Sequence, residues 1–292
     1  MRWVLLAVAT VLVAWGSVVL LGGWQWDRAT AELMQTLESA RRAPVVERYD
    51  PAELNGLPAP VQRFFRTVLK PGQPIVTAVT LEQEGDFDMA SDGQPNWKRF
   101  TAAQRVVATG RPGFVWDARI DFVPGLAIRV HDAYVAGAGR LRAAVAGLVT
   151  VAEVAATPAL AEGELMRFFA EAACWPTALL PSQGVRWQSV DEHSARATLG
   201  DGATSATLTF TFAADGTIER VNAEARGRTV DGRDVPTPWE GRWHDVQERS
   251  GMRVPTSGEV AWLTADGRRV YWRGTVTAVR YEFAGAEPVA AR

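Results

Sequence analysis

The sequence has few of the residues that build covalent or metal-bound sites. Its 292 residues include one cysteine, Cys174, and two lysines, Lys70 and Lys98. A single thiol cannot form an internal disulfide, and no cysteine lies near the N-terminus, where a lipoprotein anchor would be attached. Schiff-base and P-loop chemistry both need a suitably placed lysine, so the scarcity of lysine argues against both. We expect no cofactor.

The sequence also has few histidines and a small net charge. The formal net charge is −2, and nothing indicates the basic patch of a nucleic-acid-binding protein. His131, His193 and His244 are the three histidines, and none has the spacing of a metal site. Asp132 follows His131, but neighbours on a strand point to opposite faces and would not meet. The sequence therefore predicts no metal site and no catalytic residue.

One long apolar run stands at the N-terminus. Residues 3–21 read WVLLAVATVLVAWGSVVLL and carry no charge. A helix rises about 1.5 Å per residue, so the run would cover roughly 28 Å, close to the thickness of a hydrocarbon core. Trp24 and Trp26 follow, where indoles favour the headgroup layer. Residues 14–16 offer a signal-peptide cleavage site, but the run is longer than a cleaved peptide needs. We predict an uncleaved transmembrane anchor over residues 1–26.

The orientation of that anchor depends on its flanks. Arg28, Arg41 and Arg42 follow the run and oppose export by the positive-inside rule. The two-residue tail before the run favours the usual signal-anchor arrangement. The expected protein is thus a single-pass protein of the bacterial cytoplasmic membrane, with a soluble, extracytoplasmic domain in the cell envelope.

Two helical segments follow. Residues 27–43 place Leu33 and Leu37 at helical spacing and predict a helix that continues the anchor or forms a stalk, within a helical region over 27–72. The second predicted helix, Leu57–Leu69, carries an i, i+3, i+4, i+7 stripe that favours packing on a sheet: Val61, Phe64, Phe65 and Val68.

From Pro74 onward the apolar period changes to two, which is typical of half-buried antiparallel strands. Asp-Gly pairs separate the runs and tolerate the positive φ of tight hairpins. Two hairpins are predicted, Leu208–Phe212 with Ile218–Ala225 and Glu259–Thr264 with Arg269–Ala278. Further turns are predicted at 91–93, 201–202 and 231–232.

One helix, Ala159–Cys174, interrupts the strands. It places Leu165, Phe168, Phe169 and Ala172 on one face, and Glu164, Arg167 and Glu171 on another with ion-pair spacing. Strands, one amphipathic helix and more strands predict a mainly β fold with α: a curved antiparallel sheet, half-barrel or barrel-like, covered by the helix. This β domain would span 73–284, with a tail over 285–292.

Tryptophan is abundant beyond the predicted anchor over residues 1–26, with eight residues: Trp97, Trp116, Trp175, Trp187, Trp239, Trp243, Trp262 and Trp272. They could fill a large core, or line a pocket for an apolar or ring-bearing ligand. Residues 236–243 (PTPWEGRW) are too proline-rich for a central strand and predict an edge or the rim of such a pocket. Arg226, Arg228 and Arg242 lie near this segment in sequence and could meet an anionic headgroup.

These segments resemble a bacterial membrane-anchored family of unknown function. The matching stretches are Leu57–Phe65, Phe114–Ile120, Gly163–Pro181, Pro236–Arg242 and Gly258–Gly274. The chain departs from that family at Cys174, where an aromatic residue is expected before Trp-Pro. The order of elements also resembles, more distantly, the half-barrels of bacterial lipoprotein and lipid carriers, which implies a sheet that holds acyl chains; a fold alone does not give a function.

The functional hypothesis is a membrane-tethered binding protein for an apolar ligand, a lipid or a lipid-linked molecule, in a cleft between sheet and helix. Residues 3–21 would contact the membrane. The candidate ligand-binding residues are Trp116, Phe168, Phe169, Trp175, Trp239, Trp243 and Arg242. Two alternatives remain: a membrane-anchored hydrolase that uses Asp/Glu and His, and a non-catalytic structural subunit of an envelope complex.

Overall fold

A single antiparallel sheet of 13 strands forms the body of the protein. The computed structural model describes residues 1–90, 94–230 and 233–286. The strands are β1 (Val76–Asp88), β2 (Trp97–Val107), β3 (Gly113–Val123), β4 (Leu126–Val135), β5 (Ala138–Val145), β6 (Val149–Val154), β7 (Arg186–Ser189), β8 (Ser194–Asp201), β9 (Thr204–Phe212), β10 (Ile218–Val230), β11 (Arg233–Arg249), β12 (Met252–Thr264) and β13 (Gly267–Phe283).

The sheet consists of two meanders joined side by side. Strands β1 to β6 follow one another in space, as do β7 to β13, and the first strand β1 pairs with the last strand β13. Every pairing is antiparallel, and the sheet curls into a half-barrel, as the alternating pattern predicts. Helix α3 (Pro158–Glu171) connects the two meanders and contacts β4 and β5 on one side and β9 and β10 on the other.

The two faces of the sheet carry different helices. On β3, Phe114, Trp116 and Ala118 face the large core that includes α3. The alternate residue Val115 belongs to a smaller, separate apolar cluster with Leu33 and Leu37 of the N-terminal helix α1 (Arg2–Ser39). Because strand residues alternate between faces, α3 fills the concave inner face and α1 packs on the outer face.

Helix α1 runs through the predicted anchor and most of the segment 27–43, so this segment continues the first helix, as one of the two alternatives predicts. The second half of α1 packs against β2, β3 and β4. Among the described residues, no helix is both long and apolar enough to cross a membrane.

The local predictions for the other helices agree with the structure. Helix α2 (Ala59–Val68) lies within the predicted range 57–69. All four residues of its predicted apolar stripe are buried, and they join the main core. Thr157 caps the N-terminus of α3 by accepting a hydrogen bond from the Leu160 amide at 3.1 Å, and Pro158 occupies the first helical position. A 3-10 turn extends α3 over Ala172–Cys174.

Both predicted hairpins form, β9 with β10 and β12 with β13. The turn at 201–202 also joins two paired strands, β8 and β9. The turns predicted at 91–93 and 231–232 lie outside the described residues, as does the end of the predicted tail, 287–292.

The proline-rich segment 236–243 lies in a central strand, so the prediction that it could not is wrong. Strand β11 lies between β10 and β12, and Trp239 pairs with Ala223 on one side and Trp262 on the other. The prolines are tolerated because the pairing with β12 begins only at Trp239, and a register shift in β10 lies opposite Pro238. A missing N–H costs little where there is no partner to receive it.

Candidate functional site

A cleft opens on the concave face, between the strands at the middle of the sheet and the C-terminal end of α3. Its enclosed volume is about 100 Å³, within about 850 Å³ of empty space that extends to the open mouth. Five large aromatic side chains dominate its walls: Trp116, Trp175, Trp239, Trp243 and Trp272. Tyr271 lies among them, together with the polar residues Gln83, Asp132, Arg167, Glu171 and Arg226.

A row of glycines lets two of these indoles lie flat on the sheet. Gly85 of β1 pairs with Gly274 of β13, which pairs with Gly258 of β12, which pairs with Trp243 of β11. A Cβ added to Gly258 would lie 2.7 Å from the Trp243 ring, and one added to Gly274 would overlap the Trp272 ring. Any side chain at Gly258 or Gly274 would take the space that the two indoles occupy. Glycine at these two positions therefore lets the indoles lie against the sheet, and the cleft in front of them stays open.

Two of the cleft indoles donate a hydrogen bond through their N–H groups, and two have no partner for theirs among the described residues. Trp116 donates to Gln83 Oε1 at 2.8 Å, and Trp239 donates to the Tyr271 hydroxyl at 2.9 Å. Within the described part of the chain, the buried Nε1 atoms of Trp175 and Trp243 have no hydrogen-bond partner. Buried donors are normally satisfied, so two wall residues keep donor capacity that the protein itself does not use.

Arg167 of α3 carries one of two buried cations in the cleft. Its guanidinium binds Asp132 and donates to Glu171 at 2.7 Å. The same group lies over the rings of Phe114 at 4.7 Å and Trp116 at 5.1 Å from their centroids. Two carboxylates and two aromatic faces therefore surround this arginine, an arrangement that compensates for a buried charge.

Arg226 of β10 carries the other cation, and its contacts are weaker. Its side chain is 10% exposed and lies against the rings of Trp239 at 5.2 Å and Trp262 at 5.9 Å. Its hydrogen bonds are long, 3.3 Å to Glu164 and 3.4 Å to the Tyr271 hydroxyl. Charge-assisted N–H···O bonds usually measure about 2.7–2.9 Å.

Two buried carboxyl groups meet between the arginines. Asp132 Oδ1 and Glu164 Oε2 are both buried, and neither has a donor among the described residues. Burial raises the pKa of Glu164 well above its usual range, the charge of Asp132 raises it further, and Arg226 and Arg167 oppose these effects. A proton held on Glu164 and donated to Asp132 satisfies both oxygens.

The structure brings four of the seven candidate ligand-binding residues together, Trp116, Trp175, Trp239 and Trp243. Phe168 and Phe169 are buried behind the cleft wall, Phe168 against Trp175 with ring centroids 6.0 Å apart. Arg242 lies on the opposite face of β11 from its neighbour Trp243, and it donates to Glu240 at 2.8 Å.

No histidine is among the residues that line the cleft in the described part of the chain. His131 is buried on the outer face, where it stacks on Trp26 of α1 with ring centroids 3.9 Å apart. His193 and His244 are away from the cleft, and His193 is exposed. The arrangement expected for Asp/Glu–His hydrolysis, a carboxylate and a histidine together inside the pocket, is not present among these residues.

The sequence pattern did not reveal the buried charges. Glu164, Arg167 and Glu171 have the spacing of solvent-exposed ion pairs, and the pair Arg167–Glu171 does form, but inside the protein. Leu165, Met166, Phe168 and Phe169 lie within an arc of about 160° around the helix, at 3.6 residues per turn, and the charges lie opposite them. This is the pattern of an ordinary amphipathic helix with one exposed face.

Known structures offer distant similarities to this chain. An outer membrane lipoprotein-sorting protein domain from Vibrio parahaemolyticus is 10% identical, with a TM-score of 0.39 over 72% of this chain and 87% of that one. A DUF1329 family protein from Desulfovibrio piger is 10% identical, with a TM-score of 0.40 over 82% and 96%. A LolA superfamily protein from Nitrosomonas europaea is 11% identical, with a TM-score of 0.32 over 77% and 92%.

The sequence comparisons identify a family for this chain but give no function. No curated protein matches the chain. One family model matches residues 55–281, which include every strand from β1 to β12, most of β13, and all residues that line the cleft. The chain therefore belongs to the family of unknown function DUF6920.

Proposed function

We propose that this protein binds a slender apolar ligand, such as a lipid or a lipid-linked molecule, in the cleft between the concave sheet and α3. The observation that carries the proposal is a cleft walled by five tryptophans and kept open by a row of glycines. Aromatic walls with a few polar groups are typical of small-molecule sites. A purely structural subunit would not require such a cleft.

The ligand contacts would come from Trp116, Trp175, Trp239 and Trp243, and Trp272 would join them. Phe168 would act indirectly, because it packs against Trp175 from behind. The enclosed volume is smaller than the roughly 300 Å³ at which typical ligand sites begin, so a bound chain must extend toward the open mouth or displace an indole. Either event changes the environment of a tryptophan, which intrinsic fluorescence detects.

The proposal concerns the cleft alone, and the membrane tether predicted from residues 3–21 stays a sequence-based prediction. The proposal does not include Arg242 as a ligand contact, because that side chain lies on the other face of β11 and pairs with Glu240.

A neutral fluorescent probe, N-phenyl-1-naphthylamine, tests the proposal on the full-length protein. Saturable binding with displacement by hexadecan-1-ol is expected. Trp243→Leu should weaken probe binding at least fivefold, and it leaves no acceptor unpaired because the indole N–H has no partner among the described residues. The matched control is Trp97→Leu, a half-buried tryptophan outside the cleft, which should stay within twofold.

Native mass spectrometry of the protein as purified gives a second readout, an adduct that organic extraction removes. The proposal fails if the wild-type protein neither retains an apolar molecule nor binds the probe saturably. It also fails if Trp97→Leu and Trp243→Leu weaken the probe equally, because binding would then be unrelated to the cleft.

A further inference from the structure

Arg226 is a buried cation with unused hydrogen-bonding capacity. A guanidinium has five N–H donors, yet Arg226 makes two bonds to side chains, both longer than 3.2 Å. Its position is well defined, since Trp239 and Trp262 both contact it through their rings. The group is thus held in place at the cleft wall without a strong partner among the described residues.

The acidic side chains near Arg226 have other hydrogen-bond partners. Asp132 and Glu171 both bind Arg167, so the oxygens that make these contacts are not available to Arg226. Glu164 is the acid nearest to Arg226, and a proton shared with Asp132 satisfies the two otherwise unpaired oxygens. In this state Glu164 is neutral, and its 3.3 Å contact with Arg226 is a long hydrogen bond and not a close ion pair.

Tyr271 supplies a second unused donor at the same place. Its hydroxyl oxygen accepts from Trp239 at 2.9 Å and from Arg226 at 3.4 Å, so its hydrogen-bonding role there is that of an acceptor. Its own proton remains available. Burial raises the pKa of Tyr271, which keeps that proton in place at neutral pH. An anion between Arg226 and Tyr271 would therefore meet a cation and an O–H donor.

We propose that the ligand is an anionic amphiphile whose carboxylate or phosphate head binds Arg226 and Tyr271, while its apolar tail extends along Trp116 and Trp243. This inference rests on the proposed function and deepens it by naming the class of ligand. A cation with incomplete hydrogen bonds in a desolvated, aromatic-walled site favours a negative head over a neutral one. The tail follows the tryptophan wall, where the glycine row keeps space for it.

Three ligands with the same tail test the inference: hexadecanoate and hexadecyl phosphate, each below its micellar concentration, and hexadecan-1-ol, below its solubility limit, all measured at pH 8 by displacement of N-phenyl-1-naphthylamine. At least one anion should bind tenfold or more tightly than the alcohol. A preference for hexadecanoate indicates a free carboxylic acid, and a preference for hexadecyl phosphate indicates a phosphate head group; either result supports an anion site.

The preference should depend on the two named donors. Arg226→Gln and Tyr271→Phe should each lower the ratio of anion affinity to alcohol affinity at least fivefold. Tyr271→Phe keeps the ring and all the buried charges, so it still tests the anion site if Arg226→Gln does not fold. The control is Arg242→Gln, an arginine on the outer face of β11, which should leave the ratio within twofold.

Different failures have different meanings. If hexadecan-1-ol binds the wild-type protein as tightly as both anions, the anion site is refuted and the apolar binding function stands. If no ligand of the three displaces the probe, the binding function itself fails. If the anions are preferred but neither Arg226→Gln nor Tyr271→Phe changes the ratio, the head group binds elsewhere and the assignment to these residues is wrong.

Discussion

His131 provides a test of how α1 is held on the outer face of the sheet. Its ring stacks on Trp26 at 3.9 Å, and its Nε2 lies 2.7 Å from Thr30 Oγ1. Burial lowers the pKa of His131 from 6.5 to about 4; Asp117 opposes this, and Arg129 is one of three arginines that lower it further. The native protein therefore holds His131 in its neutral form at pH 7.

The sign of the pH effect follows from that depressed pKa. The unfolded chain takes up a proton on His131 below about pH 6.5, while the pKa in the folded chain keeps the ring neutral until about pH 4. The stabilisation is thus complete above pH 6.5 and is lost as the pH falls toward 4. A tenfold difference in proton affinity between the two states corresponds to about 1.4 kcal/mol, so this one residue lowers the free energy of unfolding by roughly 2–3 kcal/mol between about pH 7.5 and pH 4.5.

The measurement is urea unfolding of wild type and His131→Gln at pH 7.5 and 4.5, followed by tryptophan fluorescence. The variant should be less stable at pH 7.5, because it loses the ring stack, but its further loss on acidification should be roughly 2–3 kcal/mol smaller than that of wild type. His193→Gln, at an exposed turn, is the control and should follow wild type.

Identical pH dependence of wild type and His131→Gln would refute the reasoning, since the buried neutral histidine would then contribute nothing to the linkage. An unfolding transition in two steps at pH 4.5, with the first step absent in His131→Gln, would instead show that α1 separates from the sheet before the β domain unfolds.

Three further outcomes are expected. Gly274→Val should reduce probe binding in the cleft at least tenfold and cost about 1–3 kcal/mol of stability, because its Cβ overlaps the Trp272 ring; Gly227→Ala, where the nearest atom is 3.8 Å away, should change neither. Phe169→Ala should lower the free energy of unfolding by about 3–5 kcal/mol in urea titrations, because the ring is fully buried. Cys174 lines the cleft but is only 7% exposed, and burial raises the pKa of its thiol, so a thiol reagent should label the native protein much more slowly than the unfolded protein; equal labelling rates would contradict its placement.

Local patterns were enough to predict the elements that depend on near neighbours in the chain. The stripe of α2, the hairpins β9–β10 and β12–β13, and the extent of α3 all follow from periodicity and turn residues. These signals are local because a helix or a hairpin is built from residues a few positions apart. The abundance of tryptophan left a filled core and a pocket as alternatives, and five of the eight tryptophans named above line one cleft.

The burial of the charges could not be predicted from the same patterns. Arg167 and Glu171 have the spacing of surface ion pairs, and only the closing of the sheet over α3 places them in the interior with Asp132. Residues 236–238 show the same limit. Whether the N–H that proline lacks costs a hydrogen bond depends on where the partner strand begins, and only the tertiary pairing sets that position.

By itself, the sequence determined the mainly β class of the fold, the position of its covering helix and the aromatic character of its interior, because these follow from composition and from spacing along one chain. Only the tertiary structure decided that α1 packs on the outer face, that Gly258 and Gly274 lie beneath indoles, and that Arg226 is buried with two long hydrogen bonds, to Glu164 and Tyr271. Each of these depends on residues far apart in sequence that meet only when the sheet curls and β1 pairs with β13.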